Sequence, residues 1–513
     1  MPKLDDIVAE PAVALALDTI KIGKQALVFA NTKRSAEKTA EEISKKISGI
    51  ELKELSENVM HVLSKPTKQC ERLAKCVKKG IAFHHAGLTH KQRELIEDNF
   101  RNGSIKIICC TPTLAFGLDL PAYRVVLKDM KRYGQRGYAW IPVLEAHQMF
   151  GRAGRPNYDQ EGQAICMAAT DSEKENIWER YILGKPEEIY SKLAVEPVLR
   201  TYLLSLIAAD FVNTKKQIID FFKKTFWAFQ FGDIETLNAI IERMLELLEE
   251  WELIMSGEKD DFKDASKLND ESYRATRIGK RVAELYIDPL TAYFILTCLR
   301  NASSRKVNAF SFLQLISHTL EMRPLLRVRA KEHDKIQEAL LKEDSFLLEE
   351  EPSTYEPEYE DFLNSIKTAL TFNDWINEKD EDFLLEEYNI RPGELNVKLD
   401  LADWLLYAAE ELTRMLQFQS LIKEILRLRL RLKYGVKEEL LPLVRLENIG
   451  RARARKLYFN GIKDIADVKK ADMMKLAQII GRAIALNVKE QVGEEIKEIK
   501  PGKRKGQINL SDF

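Results

Sequence analysis

HQMFGRAGR, residues 147–155, places two arginines three positions apart on a glycine-punctuated turn entering a helix. At this spacing Arg152 and Arg155 can both face one anion. Guanidinium forks match phosphate oxygens and stay charged, and Gly151 and Gly154 let the backbone come close. An arginine delivered across a domain interface to a γ-phosphate stabilises the charge that develops in hydrolysis; the plainer reading is a basic surface turn. Three upstream segments narrow the choice. Thr111–Pro121 reads TPTLAFGLDLP directly after an apolar run, and its hydroxyls and backbone N–H groups suit a nucleic-acid phosphate. His84–Leu88 reads HHAGL, followed by Arg93 and Glu97 on a helix, and Leu27–Thr32 reads LVFANT.

Around these segments, residues 25–170 read as an α/β domain. Ala26–Ala30, Ile105–Cys110, Val125–Leu127 and Ala164–Ala169 are short apolar runs of the type buried in parallel sheets. Helices separate them: Ala36, Ala40, Ile43 and Ile47 mark one apolar face, with Asn31 or Thr32 as its cap. Alternating strand and helix predicts a doubly wound parallel sheet.

The order and spacing of the four segments resemble motifs IV, IVa, V and VI of superfamily 2 helicases. HHAGL and the QMFGRAGRP form resemble the branch that holds the archaeal Hjm/HelQ-type DNA helicases. The resemblance implies an ATP-dependent DNA helicase moving 3′-to-5′ on single-stranded DNA, acting at replication forks and recombination or repair intermediates. It implies that Arg152 and Arg155 are arginine fingers, that Gln148 lies near the nucleotide, and that Gly117 and Asp119 couple ATP state to DNA grip. Asn31, Thr32, His85, Arg93, Thr111 and Thr113 would contact DNA. The family often has Asn where Asp119 stands.

No GxxxxGK[ST] loop and no DExH tetrapeptide occurs in the 513 residues; Gly23–Lys24 and Gly279–Lys280 lack the preceding glycine and the Ser/Thr. Without the loop there is no phosphate cradle, and without the acidic pair no Mg²⁺ anchor. The chain therefore reads as the part of such a helicase that follows a first RecA-like domain, which would bind most of ATP and Mg²⁺. That domain would act in trans or have been lost by truncation, and the chain is expected not to hydrolyse ATP alone.

Lys128–Pro142 reads KDMKRYGQRGYAWIP, a glycine-bracketed turn with Tyr133, Tyr138 and Trp140 around it. A rigid aromatic hairpin can stack on the last base pair of a duplex, an interaction worth about 1–3 kcal/mol per base. In related helicases a hairpin at this place separates the strands. Further along, Leu401, Leu405, Ala408 and Leu412 mark the apolar stripe of a long helix, 399–416. The family uses a tryptophan there as a ratchet on single-stranded DNA, which implies Trp404. Core packing is the competing reading. An arginine often precedes that tryptophan by two turns; here Lys398 would supply the charge.

The resulting layout is multidomain α/β plus α. Residues 1–186 form a second RecA-like domain, 187–285 a winged helix, 286–436 a helical ratchet bundle and 437–498 a helix-hairpin-helix module. Residues 499–513 form a tail without structure of its own. Leu446–Tyr458 reads LENIGRARARKLY, where Gly450 opens a helix and Arg451, Arg453 and Arg455 add local positive charge for a DNA phosphate. A protein-docking bundle is the alternative. The last seven residues, QINLSDF, resemble a peptide that binds the PCNA sliding clamp, with Leu510 and Phe513 in an apolar pocket and Gln507 in a polar site.

Bulk properties set the frame. A chain of 513 residues is too long for one hydrophobic core. Lys+Arg of 79 against Asp+Glu of 80 means that any basic, DNA-facing surface must be local. The charged fraction of 31%, rich in Glu and Lys, leans toward a thermophile. Six cysteines form no CxxC pair and no apolar run reaches membrane-spanning length, so neither a metal site nor a membrane partner is expected. A reducing, cytoplasmic setting is. Two other functions fit the same residues: an RNA helicase of a related branch, and a non-catalytic DNA- and PCNA-binding subunit that complements a separately encoded ATPase half.

Overall fold

A computed structural model describes residues 10–493, apart from 64, 118, 135–136, 155–158, 160, 194 and 258–271. Seven strands fall in the first 170 residues: β1 (Ala26–Phe29), β2 (Ile81–His84), β3 (Ile107–Cys110), β4 (Arg124–Leu127), β5 (Lys131–Gly134), β6 (Gly137–Trp140) and β7 (Gln163–Cys166). Five of them pair in parallel in the order β2-β3-β1-β4-β7. Every residue of β1 to β4 is buried, as a sheet covered on both faces by helices requires. β2 was not among the expected strands. Its four residues, IAFH, are too short to show a period and run straight into the HHAGL turn.

The helix Lys33–Lys45 packs Ala36, Ala40 and Ile43 into this core. Thr32, not Asn31, caps it: the Thr32 hydroxyl accepts the Ser35 N–H at 3.1 Å. That leaves the Asn31 side chain free for a different task.

Beyond the sheet domain the chain is nearly all helix. Helices Glu196–Ala208, Lys215–Phe222, Phe226–Phe231 and Ile234–Glu250 precede an antiparallel pair, β8 (Ile254–Gly257) and β9 (Ser272–Ala275). Arg277–Leu285 follows, then a bundle built on Pro289–Ser304, Ala309–Ser317, Tyr359–Ile376, Pro392–Met415 and Gln419–Tyr434. One apolar core runs from Leu199 to Leu432, across the boundary expected near residue 286. The long helix begins at Pro392 rather than near 399. Proline in the first turn starts a helix as readily as it ends one, because its missing N–H would have no partner there. A separate small core from Val436 to Val488 holds the carboxy-terminal helices together. Among the described residues no single helix is long and apolar enough to cross a membrane.

Candidate nucleic-acid and nucleotide interface

The arginine turn and the TPTLAFGLDLP loop are stitched to each other. The Ala122 N–H donates to the Arg152 carbonyl at 2.9 Å and the Gly154 N–H to the Ala122 carbonyl at 2.7 Å. Gly154 sits at φ +92°, and a β-carbon on Gly162 would lie 2.3 Å from the Gly154 nitrogen, so the turn needs glycine at both places. Arg152 closes the pair: its Nη2 donates to the Ala115 carbonyl at 2.7 Å, and its Nη1 lies 3.6 Å from the Asp119 carboxylate. The guanidinium expected to reach out as a finger is thus held against its own loop. Asp119, 95% exposed, is a weak holder, since a solvated ion pair contributes about 0–1 kcal/mol. Arg155 lies outside the described residues. Gln148 is half-buried on the helix Val143–Phe150, and Gly117, at φ +76°, is exposed with open space around its α-carbon. The Thr111 and Thr113 hydroxyls bond each other at 2.9 Å at the mouth of the same loop.

β5 and β6 form the expected hairpin, with Tyr133 directly opposite Tyr138. These two rings are 83% and 70% exposed. Trp140 departs from the expectation. It is half-buried, with the Lys131 ammonium 4.2 Å above its ring and Tyr181 edge-on at 6.2 Å. It anchors the hairpin base, while the tyrosines form the tip. Asn31 serves the same base. Its Nδ2 donates to the Asp129 and Lys131 carbonyls at 3.1 and 2.7 Å, satisfying acceptors where the chain leaves the sheet. Expected at DNA, its amide instead holds the hairpin. Thr32 is exposed beside it, as the helix cap.

His85 is also corrected: its side chain is wholly buried. Its Nδ1 accepts the Gly87 N–H at 3.1 Å and its Nε2 donates to Glu37 at 3.1 Å, which fixes the neutral Nε2–H tautomer. Burial lowers the imidazole pKa, consistent with that form. Glu37, unnoticed in the sequence, is the centre of this cluster. Beside His85 it takes Arg72 Nη1 at 2.8 Å and Arg391 Nε at 3.3 Å. Burial alone would raise the carboxyl, but the His85 hydrogen bond and the Arg391 and Arg72 charges outweigh it and hold the pKa at about 2. A signal was available: Glu37 is three residues before Ala40, on the apolar face of its helix.

Arg93, expected at DNA, sits on the wall of a cleft. It is half-buried, its Nε is buried without a hydrogen-bond partner, and it lines this cleft of about 600 Å³ with Trp375, Asn396, Val397, Asp403 and Lys433. The cleft separates the sheet domain from the long helix. Lys398 does not face it as a free cation. Its Nζ donates to the Met322 and Pro324 carbonyls at 3.1 and 2.8 Å, and burial brings its pKa down to about 8. The ammonium ties the long helix to the loop at Met322 and Pro324. Trp404 is half-buried against the bundle core, with its indole N–H donating to the Leu285 carbonyl at 3.1 Å.

In the carboxy-terminal unit Gly450 is exposed and opens the helix Arg451–Phe459. The three arginines part company. Arg451 donates to the Lys379 carbonyl at 2.6 Å and lies over Trp375, and Arg455 pairs with Glu378 and with Glu439. Both therefore dock this unit on the bundle, which is the alternative reading of the charge run. Arg453 is exposed, bonded to the Asn448 carbonyl. Gln507, Leu510 and Phe513 lie outside the described residues.

Comparison with known proteins follows the same division. Residues 50–157 match the helicase conserved C-terminal domain, and residues 310–435 match domain 4 of archaeal helicases. The chain is 39% identical over 506 residues to the ATP-dependent DNA helicase Hel308 of Pyrococcus horikoshii, covering 96% of this chain and 67% of that protein. It is 36% identical over 538 residues to Hel308 of Methanococcus vannielii, covering 97% and 68%. Hel308 of Caldivirga maquilingensis is 34% identical over 511 residues, covering 95% and 66%. Because this identity runs through the sheet domain, the bundle and the carboxy-terminal unit alike, the chain belongs to the Hel308 family of archaeal superfamily 2 helicases.

Proposed function

We propose that this chain is the strand-separating and strand-tracking part of an ATP-dependent 3′-to-5′ DNA helicase that works at replication forks and repair intermediates. The observation that carries the reading is the anchored hairpin with two exposed tyrosines at its tip, ten residues upstream of the arginine turn, in a member of the Hel308 family. Duplex would meet Tyr133 and Tyr138. The released strand would run past Thr111, Thr113 and Arg93 into the cleft beside the long helix, where Trp404 would stack on it. The helices between 196 and 285 with β8 and β9 read as a winged helix. The unit from 441 to 491 reads as a helix-hairpin-helix module, with Gly450 and Arg453 as its DNA side and Arg451 and Arg455 as its docking side. The terminal QINLSDF would tether the enzyme to the PCNA clamp.

The residues present fit one side of a nucleoside triphosphate. Arg152 and Gln148 offer charge and a polar contact, and Arg152, held by the Ala115 carbonyl and a solvated Asp119, has no buried carboxylate to give up for a phosphate; Arg155 would add a second guanidinium. ATP with Mg²⁺ would supply the free energy of phosphoryl transfer, and a separate P-loop-bearing RecA-like domain would cradle it. The test is direct. This chain alone should bind single-stranded and forked DNA but show no DNA-stimulated ATP turnover. Adding a P-loop-bearing RecA-like domain should restore turnover and 3′-to-5′ unwinding of a fork. Turnover by the chain alone, or a binding preference for RNA, would refute the reading.

Trp404 separates tracking from packing. Since the ring is only half-buried, Trp404→Ala should cost about 2 kcal/mol of stability, below the 3–5 of a fully buried tryptophan. The loss of one base stack, about 1–3 kcal/mol, should slow translocation by roughly 5- to 150-fold. A collapse in Tm with translocation intact would assign Trp404 to the core.

A further inference from the structure

The HHAGL turn, the cluster around Glu37 and the start of the long helix form one joint. Arg391 is the cap of Pro392–Met415, and Glu394 in the first turn accepts the Arg391 N–H at 3.0 Å. The same Glu394 carboxylate pairs with Lys33 of the sheet domain. The Gly393 N–H, one of the donors that a helix start leaves unpaired, donates to the Gly87 carbonyl at 3.1 Å. The backbones touch here. A β-carbon on Gly393 would lie 2.2 Å from the Leu88 oxygen and 2.5 Å from the Ala86 oxygen, and one on Gly87 would lie 2.3 Å from Arg391 Cδ. Underneath, Glu37 joins Arg391 to His85, whose other ring nitrogen holds the Gly87 N–H. One buried carboxylate thus fixes both the turn and the arginine that caps the helix.

We infer that this contact is a rigid coupling, and that Glu37, His85 and Arg391 are positioning residues which make the long helix move as one body with the sheet domain. Trp404 lies thirteen residues from Arg391 along one unbroken helix, a lever of about 20 Å at 1.5 Å per residue. Any rotation of the sheet domain would then be delivered to Trp404 directly, with no slack at the helix start. The His85 motif would act through protein contacts, not by touching DNA. The transmission step rests on the function proposed above; the rigidity of the joint does not.

The two can be told apart in the full chain. Spin labels at Lys38→Cys, on an exposed face of the sheet domain, and at Arg414→Cys, near the far end of the long helix, report their separation by pulsed electron paramagnetic resonance. A single narrow distance is expected, unchanged when a single-stranded oligonucleotide binds. Arg391→Met, at the rim of the cluster, should widen that distribution at least twofold while leaving DNA affinity within about threefold; Arg391→Lys should restore part of the width. If Glu37→Gln fails to fold, Arg391→Met still decides. A distribution already broad in the parent, or equally narrow in Arg391→Met, overturns the coupling. Failure of the parent to bind the oligonucleotide, with a narrow distance retained, would instead count against the proposed function.

Discussion

Replacing Tyr133 and Tyr138 together by alanine is expected to slow duplex unwinding by roughly 10- to 100-fold in the enzyme completed with a P-loop-bearing domain, with single-strand affinity within about twofold. The two residues are cross-strand partners in the hairpin and both are mostly exposed. Their removal therefore takes little from the core, and Tm should hardly move. What is lost is a hydrophobic platform at the point where the last base pair must open. Stacking on such a platform is worth about 1–3 kcal/mol, while one DNA stacking step averages about 1.4 kcal/mol; the hairpin can offset most of the cost of one step. Each 1.4 kcal/mol lost is a factor of ten in rate. Trp140→Ala is the informative contrast. It breaks the contact with Lys131 and Tyr181 at the hairpin base, so unwinding and Tm should fall together. If the double tyrosine variant unwinds a fork at the parent rate, the hairpin does not separate strands.

The division of labour within that hairpin was only half legible in the sequence. Glycines around a turn and aromatics beside it announce an aromatic ribbon, but nothing local says which ring points outward. That is settled by partners elsewhere: Lys131 across the hairpin and Tyr181 some forty residues on claim Trp140, and among the described residues no hydrogen bond or ring contact claims Tyr133 or Tyr138. Asn31 was misread for the same reason. An Asn after a strand has no mark telling whether its amide will meet a phosphate or two backbone carbonyls a hundred residues on. Arg451 and Arg455 look like a DNA-binding charge run until Glu378 and the Lys379 carbonyl arrive from the bundle. Strand pattern and motif order, by contrast, depend on short-range periodicity and spacing, so β1, β3, β4 and β7 and the stitched loop at Arg152 were foreseeable. β2, at four residues, fell below the length at which a period can be seen.

Glu37→Ala should be among the most destabilising single substitutions in the sheet domain, by about 3–5 kcal/mol, the range found when one partner of a buried ionic cluster is removed. The carboxylate is 2% exposed and accepts from His85, Arg72, Arg391 and Gln69; alanine would leave the fully buried His85 N–H without its acceptor and Arg391 without the Glu37 charge, while Arg72, 40% exposed, keeps Glu41. Glu37→Gln keeps the shape and loses the charge, so it should cost less and isolate the electrostatic part. That part carries a pH signature. The carboxyl is held at about 2 in the folded chain, against an ordinary 4.5. The folded state therefore binds fewer protons than the unfolded state between these values. The stability from the Glu37 charge is fully present above pH 4.5 and is lost as pH falls from 4.5 towards 2, by up to about 3 kcal/mol. Urea unfolding at pH 7 and at pH 3, compared between the parent and Glu37→Gln, subtracts the titration of every other carboxylate. The parent should lose about 2 kcal/mol more than the variant over that interval. Equal losses would mean that Glu37 is not the charged centre of the cluster, and that the helix start is held by its backbone contacts with Gly87 and Leu88 alone.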